Sequence, residues 1–465
     1  MKKNLLLKAQ GVLSVLLFSI SLNAQVDSAL AAQYQAILDN YVLASGTRGI
    51  SAAVILPGGQ TWLGQAGDNG LGTPIETNTV FIGASNIKPM IAAVVLQLRD
   101  EGKLNLANHY VRYVDPINFI DTNITIQQLL YQVTGISNPT QPQLLLDEPI
   151  AHPAFFYPLG YQLQYLTAPA FAPGTDWQYS NANYILLARI IEQVSGRNIA
   201  EVMRSRVFTP LGLNHTYFGG YEPFSEPYAG LWWDIWGGTN FQNYSTMPLT
   251  GLMSFVAGAG NVVSTPGDLA LFVRGLAHGE VVPPATLAEM LVPEPHSIGK
   301  AFGGAYGLGM ILFQGALGEL YFGHAGDLGH QSIAMHWPEQ NFTIALAVNT
   351  NIAPFSGAFG PLYARTLQQV LATNGPATAG SFAVQCAPNP FRDAFEVLLP
   401  GTMATSNVSV ALINANGQTV RTWQLDHPGT VVRLETGTLL PAGVYFLRVS
   451  HGNSVSTTRI VRAGQ

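Results

Sequence analysis

The amino-acid sequence predicts an α+β fold followed by a small all-β domain. Strand patterns come early, at 49–56 and 60–65, and a mainly helical region extends from about 104 to 260. Strand patterns return between 308 and 348, before a final helix at about 355–372. Because strands and helices are grouped along the chain and do not alternate, we expect an antiparallel sheet flanked by helices, with a separate helical region.

Local signals support the individual elements in chain order. Residues 26–44 have the pattern of an amphipathic helix. Pro57-Gly58-Gly59 marks a hairpin turn between the first two strands. The returning strands are expected at 308–313, 320–323, 331–337 and 342–348, joined by short turns. These boundaries predict neighbouring antiparallel strands in one sheet.

Two helices in the central and later parts of the chain have clear end signals. The helix predicted at 183–195 ends at Gly196, a residue that readily adopts the conformation that terminates helices. The helix predicted at 264–276 begins with Ser264-Thr265-Pro266, which combines a cap residue with a proline in the first turn.

Composition limits the class of protein. The chain has 465 residues, of which 48% are hydrophobic and 10% are charged, so it is long enough for two or three domains with a large core. Its formal net charge is −6 and it lacks a basic cluster, which argues against nucleic acid as a partner. Cys386 is the only cysteine, so it forms no intrachain disulfide, and we interpret it as incidental. We expect no metal and no other cofactor.

The first 24 residues have the pattern of a secretory signal peptide. Lys2, Lys3 and Lys8 precede an apolar run at 11–22, and cleavage is expected after Ala24. The apolar run is too short to span a membrane, so we expect an exported protein with no transmembrane anchor.

The C-terminal part of the chain differs from the rest in its composition and in its hydrophobic pattern. Residues 373–383 form a linker of small residues, and 384–465 contain short alternating segments that predict an all-β sandwich. Residues 25–372 therefore form a separate domain before the linker. The segments are 394–399, 408–414, 419–425, 431–434, 444–449 and 457–461.

Ser85-Asn86-Ile87-Lys88 is the strongest candidate for catalysis. Residues i and i+3 share a face of a helix, so the hydroxyl and the amine can meet. Serine becomes a nucleophile when a neighbouring base takes its proton, and a lysine in a dry site can be that base. Ser297 and Lys300 have the same spacing, but prolines precede them and no apolar helix follows. We interpret that second match as a coincidence in a loop.

Two further tripeptides supply groups that a serine site needs. Tyr179-Ser180-Asn181 precedes a helix: the tyrosine, held partly deprotonated near the lysine, can share the proton transfer, and the amide can bind substrate. His324-Ala325-Gly326 is expected at the end of a strand, where the imidazole can bind substrate or orient Tyr179 and the glycine lets a ligand approach. The backbone N–H groups of Asp327 and Ser85 can form an oxyanion hole.

Simpler structural explanations exist for both tripeptides. The first can be a capped helix start with a buried aromatic ring, and the second can be a hairpin with an exposed histidine. His427-Pro428-Gly429 has the same pattern as the second tripeptide inside the predicted β-sandwich.

The order of the three motifs resembles that of the serine β-lactamase-related family, which includes class C β-lactamases, D-Ala-D-Ala carboxypeptidases, D-amino-acid peptidases and esterases. The resemblance covers about 30–372 and implies a β-lactamase/transpeptidase-like fold. It implies that Ser85 is the nucleophile, Lys88 its base partner and Tyr179 the proton relay. Further similar segments are Thr125–Ile136, Phe171–Asn181, Gly260–Leu269 and Tyr306–Gly309.

By the same resemblance, Asn181, His324 and Gly326 bind substrate, and the N–H groups of Ser85 and Asp327 form the oxyanion hole. Class C β-lactamases have Lys-Thr-Gly as their third motif. Here His324 and Ala325 replace the cation and the hydroxyl that would bind a substrate carboxylate. We therefore expect an esterase, amidase or D-peptidase acting on a small molecule or peptide, with a true β-lactamase less favoured.

Other interpretations stay open. The protein can be a non-catalytic or slowly acylated penicillin-binding or peptidoglycan-sensing protein. Trp232, Trp233 and Trp236 can form the walls of an apolar substrate pocket or can pack in the core.

The tail resembles the C-terminal sorting domain of type IX secretion. The resemblance depends on Ala387-Pro-Asn-Pro-Phe391, on 414–420 and on 440–449. It implies the type IX machinery as a partner, and a secreted or cell-surface protein of a Gram-negative bacterium. A carbohydrate-binding sandwich is the alternative, but Trp423 is the only tryptophan available there as a sugar platform.

Overall fold

The computed structural model describes residues 25–315, 319–373, 384–387, 391–403, 407–414, 419–437, 440–441, 443–451 and 454–462. Contacts between Cα atoms divide the chain into two compact units, residues 1–370 and 371–465. The predicted signal peptide at 1–24 and nearly all of the predicted linker at 373–383 lie outside the described residues.

The first unit combines helices and strands. Its α-helices are α1 (Ser28–Ser45), α2 (Ile87–Asp100), α3 (Ile126–Tyr131), α4 (Pro142–Leu145), α5 (Asn181–Ser195), α6 (Ile199–Met203), α7 (Leu249–Phe255), α8 (Pro266–Ala277), α9 (Pro284–Met290) and α10 (Ser356–Thr373). Its strands are β1 (Gly49–Ile55), β2 (Thr61–Gly67), β3 (Phe81–Ala84), β4 (Tyr217–Phe218), β5 (Trp232–Trp233), β6 (Gln242–Asn243), β7 (Val262–Ser264), β8 (Ala305–Tyr306), β9 (Ile311–Gln314), β10 (Leu320–Leu328), β11 (His330–Trp337) and β12 (Phe342–Val348).

A seven-stranded antiparallel sheet organises this unit, in the order β2-β1-β12-β11-β10-β9-β8. The first strand of the chain, β1, pairs with the last strand of this unit, β12, and Ala53 lies opposite Ala345. A smaller sheet of β3, β7 and β4 lies beside it. The α+β fold with an antiparallel sheet is therefore confirmed.

The large sheet is buried on both faces. In β1, Ile50, Ala52 and Val54 join a core with Tyr34 and residues of α10, because alternate side chains point to opposite faces of a strand. Ala53 and Ile55 join the other core, which includes the central helices. Full burial of an isoleucine or valine contributes about 1.5–3 kcal/mol. A strand that buries both faces is consequently mostly apolar, as β1 is apart from Ser51.

Helix α2 lies inside the helical core. Eleven of its fourteen residues are buried, which agrees with a sequence that is apolar around most of the helix. It packs against α5, and this burial places Lys88 in the protein interior with 0% of its surface exposed.

Strand β10 is longer than its sequence pattern predicts. Asp327 pairs with Gln331 and Leu328 with His330, and the chain reverses at Gly329, whose φ is 79°. The prediction that His324 lies at the end of a strand is thus wrong, because cross-strand pairing continues past Gly326 up to the tight turn.

The second unit is all-β, as predicted. Its strands are β13 (Gln385–Ala387), β14 (Ala394–Leu398), β15 (Val408–Asn414), β16 (Thr419–Leu425), β17 (Val431–Glu435), β18 (Gly443–His451) and β19 (Ser454–Arg462). They form sheets ordered β13-β14-β17 and β16-β15-β18-β19. Both sheets contribute to one apolar core that includes Phe395, Val410 and Leu447. Over the residues that the structure describes, no helix has the length and apolar character needed to cross a membrane.

Candidate active site

Ser85 lies between β3 and α2 and contacts both predicted partners. Its Oγ is 3.0 Å from Lys88 Nζ and 2.9 Å from Tyr179 Oη. Ala84, directly before it, has a φ of 46°, in the left-handed region that residues other than glycine rarely adopt. Such a conformation costs about 1–3 kcal/mol and persists only where the surrounding structure holds it. The segment before the nucleophile is therefore held under strain.

Lys88 Nζ has three oxygen neighbours. It donates to Asn181 Oδ1 at 2.8 Å, to the carbonyl oxygen of Ala259 at 2.5 Å and to Ser85 Oγ at 3.0 Å. Burial lowers the Lys88 pKa well below its ordinary value of 10.5, which favours the neutral amine. In that form the first two oxygens, which only accept, use both N–H donors, and the lone pair can take the Ser85 proton.

Tyr179 is protonated in this arrangement. Burial raises its pKa well above 10, nearby Tyr306 raises it further, and the hydrogen bond with Ser85 lowers it. The expectation that the tyrosine is partly deprotonated is therefore wrong, because burial disfavours the phenolate. The phenol instead donates its proton to Ser85 Oγ.

Both ends of the Asn181 amide have partners inside the protein. Oδ1 accepts from Lys88 Nζ, and Nδ2 donates to Thr140 Oγ1 at 2.6 Å. Asn181 is the first residue of α5, which begins two residues earlier than predicted because the Ser180 hydroxyl caps it by accepting from Ala182 N–H. In the structure the amide positions Lys88, a task that the sequence did not indicate.

The His324 side chain is buried and faces Tyr306. Its Nδ1 is 2.6 Å from the carbonyl oxygen of Ala325, so Nδ1 carries the proton and Nε2 accepts from Tyr306 Oη at 3.3 Å. Burial, together with Lys88, lowers the imidazole pKa to about 3. His324 therefore provides no cation, and it contacts Tyr179 by ring packing at 6.3 Å between ring centroids.

Gly326 makes room for protein backbone. A Cβ at this position would lie 2.3 Å from the carbonyl oxygen of Gly83, so the glycine lets β10 approach the segment before Ser85. The backbone of Gly83 therefore occupies the space beside Gly326 where a ligand was expected to approach. Ala325 points to the opposite face, against the core beside α1 and α10. A hydroxyl at 325 would not face Ser85, and its absence carries no information about substrate.

Two residues of β11 hold the segment before the nucleophile. Ile82 N–H donates to His330 Nδ1 at 2.9 Å, and Ser332 Oγ donates to the carbonyl oxygen of Gly83 at 2.9 Å. Ser332 lies opposite Gly326 in the sheet, so β11 connects the Ser85 segment to the strand that contains Asp327. We call His330 and Ser332 the β11 clamp. The sequence analysis missed it, since neither residue belongs to a motif considered there.

A cavity of about 370 Å³ opens beside Ser85. Its wall includes Asn181 and Asp327, together with the aromatic residues Trp233 and Trp236. The wall also contains Asn138, Thr140, Leu145, Ile235, Val256, Leu328 and Asn351. Trp232 instead packs against Arg48, whose guanidinium lies 4.7 Å from the ring centroid. Trp233 and Trp236 thus line the cavity, whereas Trp232 packs against another part of the protein.

Ser297 and Lys300, which have the same spacing as Ser85 and Lys88, lack catalytic geometry. The Ser297 hydroxyl donates to the carbonyl oxygen of Glu294 at 2.6 Å, in a 3₁₀ turn at Pro295–Ser297. Lys300 is half exposed and forms an ion pair with Asp176. In the part of the chain that the structure describes, no cluster of His, Cys, Asp and Glu side chains is arranged to bind a metal.

Comparison with known proteins identifies the family of each part of the chain. Residues 29–368 match the beta-lactamase family model, and residues 386–463 match the model of a secretion system C-terminal sorting domain. A D-stereospecific amidohydrolase from Streptomyces sp. has a similar structure, with a TM-score of 0.62 and 25% identity over 75% of this chain and 99% of that one. A D-amino acid amidase from Ochrobactrum anthropi SV3 is also similar, with a TM-score of 0.61 and 25% identity over 74% of this chain and 99% of that one.

Curated relatives are penicillin-binding and carboxypeptidase-like proteins. The putative penicillin-binding protein PbpX of Bacillus subtilis is 26% identical over 51% of this chain and 55% of its own length. A putative D-alanyl-D-alanine carboxypeptidase of Escherichia coli is 28% identical over 44% of this chain and 52% of its own length. The chain thus spans about half the length of the first curated relatives that it matches. The family match covers most of the chain, and the protein belongs to the beta-lactamase family of serine hydrolases, with a C-terminal sorting domain of the secretion-system type.

Proposed function

We propose that this protein is an exported hydrolase that forms an acyl-enzyme intermediate on Ser85 and cleaves an ester, an amide or a D-amino-acid peptide. One observation supports this most directly. Ser85 Oγ lies between the Lys88 amine, whose pKa is lowered by burial, and the Tyr179 phenol, at 3.0 and 2.9 Å. The base and the acid of an acyl transfer therefore stand on the two sides of one hydroxyl.

The reaction follows from the proton positions. Lys88 takes the Ser85 proton as Oγ bonds to the substrate carbonyl carbon, and Tyr179 donates its proton to the leaving nitrogen or oxygen as that bond breaks. The proton held by Lys88 restores Tyr179. Water then attacks the acyl carbon, gives one proton to Ser85 Oγ and releases the acid. The N–H groups of Ser85 and Asp327 are the proposed donors to the oxyanion.

The wall of the cavity favours an apolar acyl group. Trp233, Trp236 and Leu328 line it, and the D-amino acid amidase named above has a similar fold. A β-lactamase is less favoured because His324 is neutral and buried, so the third motif offers no cation to a substrate carboxylate. We expect p-nitrophenyl ester turnover to exceed nitrocefin turnover by far.

We further propose that the protein is secreted or displayed on the cell surface by the type IX machinery of a Gram-negative bacterium. The sorting-domain match at 386–463 supports this. The proposed division is a signal peptide at 1–24, a hydrolase domain at 25–372, a linker at 373–383 and a sorting domain at 384–465.

Intact-mass measurement after incubation with a fluorophosphonate tests the nucleophile. Wild-type protein should gain one adduct, and folded Ser85→Ala should gain none. An unlabelled wild type would refute the acyl-enzyme proposal, and a labelled Ser85→Ala variant would refute the choice of nucleophile. The penicillin-binding relatives support the alternative of a non-catalytic or slowly acylated protein. Slow or absent release of p-nitrophenol from a p-nitrophenyl ester by folded wild-type protein would identify that alternative.

A further inference from the structure

One residue, Gln132, holds the backbone on both sides of Tyr179. The carbonyl oxygen of Gln132 accepts from Gln178 N–H at 3.3 Å, and its side-chain Oε1 accepts from Ser180 N–H at 2.7 Å. The segment that carries Tyr179 is neither helix nor strand, so no regular ladder of hydrogen bonds supports it. The two bonds to Gln132 take the place of such a ladder and fix the point from which the phenol reaches Ser85.

Gln132 occupies its position under two unfavourable conditions. It follows α3 directly with a φ of 63°, in the left-handed region that costs free energy for residues other than glycine. Its side chain is fully buried, and Nε2 lies near Tyr306 but makes no hydrogen bond of normal geometry among the residues that the structure describes. A buried donor without a good partner also destabilises the fold. Glycine would avoid both costs, so stability does not explain the glutamine.

The Gln132 side chain affects Tyr179 more directly than Lys88. Asn181, which accepts from Lys88 Nζ, has an anchor of its own, because its N–H donates to Asn138 Oδ1 at 3.3 Å. Loss of the Gln132 oxygen should therefore move the phenol while the amine keeps its partner. The acid and the base of the site can be perturbed separately in this way.

We propose that Gln132 is a positioning residue that acts through Tyr179: its side-chain oxygen holds the phenol where it can protonate the leaving group, so Gln132 determines which leaving groups the enzyme can expel. This inference rests on the proposed acyl-Ser85 chemistry. A reacting group that is misplaced by about 1 Å can lose about 100-fold in rate. The loss should fall on leaving groups that need a proton and should spare those that depart as stable anions.

Two esters of one acid test this dependence. Ethyl phenylacetate and p-nitrophenyl phenylacetate form the same acyl-enzyme, but ethoxide needs a proton whereas p-nitrophenolate leaves unaided. Values of kcat/KM are measured by acid release and by p-nitrophenol release. Gln132→Met keeps an unbranched side chain of similar size and removes the oxygen. It should lower kcat/KM about 10-fold or more for the ethyl ester and less than about 3-fold for the p-nitrophenyl ester.

Rescue by a conservative variant separates the oxygen from the rest of the side chain. Gln132→Glu keeps an oxygen that can accept from Ser180 N–H, so it should retain most of the activity on the ethyl ester. Gln132→Ala removes the same oxygen with less bulk and should repeat the pattern of Gln132→Met, which keeps the test open if the methionine variant does not fold.

Gln162→Met is the matched control. Gln162 is also fully buried, its amide makes no hydrogen bond among the described residues, and it lies outside the cavity wall. The control should keep the wild-type ratio of the two kcat/KM values. Equal losses on both esters in Gln132→Met, no loss on either, or a Gln132→Glu variant as impaired as Gln132→Met would each overturn the inference.

Fluorophosphonate labelling of Ser85 distinguishes failure of this inference from failure of the proposed function. A wild type that is labelled but hydrolyses only the p-nitrophenyl ester overturns the inference, since Tyr179 then protonates no leaving group, and leaves the acyl-enzyme proposal intact. Absence of labelling in folded wild-type protein refutes the proposed function itself, and this inference with it.

Discussion

The imidazole Nδ1 of His330 accepts a hydrogen bond of 2.9 Å from the backbone N–H of Ile82, three residues before Ser85. Its Nε2 donates to the carbonyl oxygen of Gly230. Burial lowers the pKa of His330 to about 4, so the ring stays neutral and Nδ1 remains an acceptor. This contact opposes relaxation of the strained backbone at Ala84 and thus holds the Ser85 N–H in place.

The role of His330 predicts a specific pattern of rescue. His330→Ala leaves two buried backbone groups unpaired, at about 1–3 kcal/mol each, and should lower kcat. His330→Asn should restore most of kcat, because the Asn oxygen can replace Nδ1 as the acceptor from Ile82. It should restore stability only in part, because the bond to Gly230 is not replaced. Steady-state kinetics and urea unfolding measure the two effects, and equal recovery of both would contradict a positioning role.

Lys88 should reduce stability while it supports activity. Its pKa is lower in the folded than in the unfolded protein, so the unfolded state binds more protons and stability increases with pH up to the unfolded pKa of about 10.4. Lys88→Met should therefore be inactive yet more stable than wild type at pH 7. This advantage should shrink at pH 9.5, as measured by urea unfolding of both proteins at both pH values. An advantage that does not change with pH would mean that Lys88 is charged in the folded protein.

Tyr179→Phe should affect substrates according to their leaving group. Loss of a general acid reduces rates by about 10²–10⁴-fold. The loss should be large for a p-nitroanilide, whose nitrogen needs a proton, and smaller for a p-nitrophenyl ester, whose phenolate leaves unaided. Equal losses in kcat/KM for the two substrates would exclude Tyr179 as the proton donor to the leaving group.

The pH profile of kcat/KM should have a limb on the acid side. Activity should fall as the pH drops through the lowered pKa of Lys88, because the protonated amine is not a base. Tyr179 adds no alkaline limb, since its pKa lies well above 10. Asn181→Asp places a negative charge 2.8 Å from Nζ, which favours the ammonium form and should move the limb to higher pH. A limb that stays in place in this variant would assign it to another group.

Substitutions at the two positions before Asp327 should differ in the size of their effect on activity. Gly326→Ala would place a methyl group 2.3 Å from the carbonyl oxygen of Gly83, so it should displace the oxyanion donors and reduce kcat/KM at least 10-fold. Ala325→Ser changes the opposite face and should alter ester hydrolysis less than 2-fold. Kinetics on one p-nitrophenyl ester compare them, and a larger effect from Ala325→Ser would show that residue 325 faces the substrate.

Much of the site could be predicted from local sequence. The i, i+3 spacing of Ser85 and Lys88 on an apolar helix predicts both their contact and the burial of the amine, since helix geometry requires only the intervening residues. The periodic patterns likewise predict the α+β order and the all-β tail. For the contact of Tyr179, 94 residues away from Ser85, only the resemblance to a family provided a prediction.

Protonation and orientation were decided by the tertiary structure alone. The pKa of Lys88 is lowered and that of Tyr179 is raised because the packing of α2 against α5 and their neighbours removes water from both, and no local pattern specifies that environment. The Asn181 side chain accepts a hydrogen bond from Lys88 because α5 begins at this asparagine. Ala325 faces away from Ser85 because β10 continues up to the turn at Gly329. The sequence by itself determined which groups are available for acyl transfer. Long-range packing determined which of them holds each proton, because desolvation and hydrogen-bond partners come from segments distant in the chain.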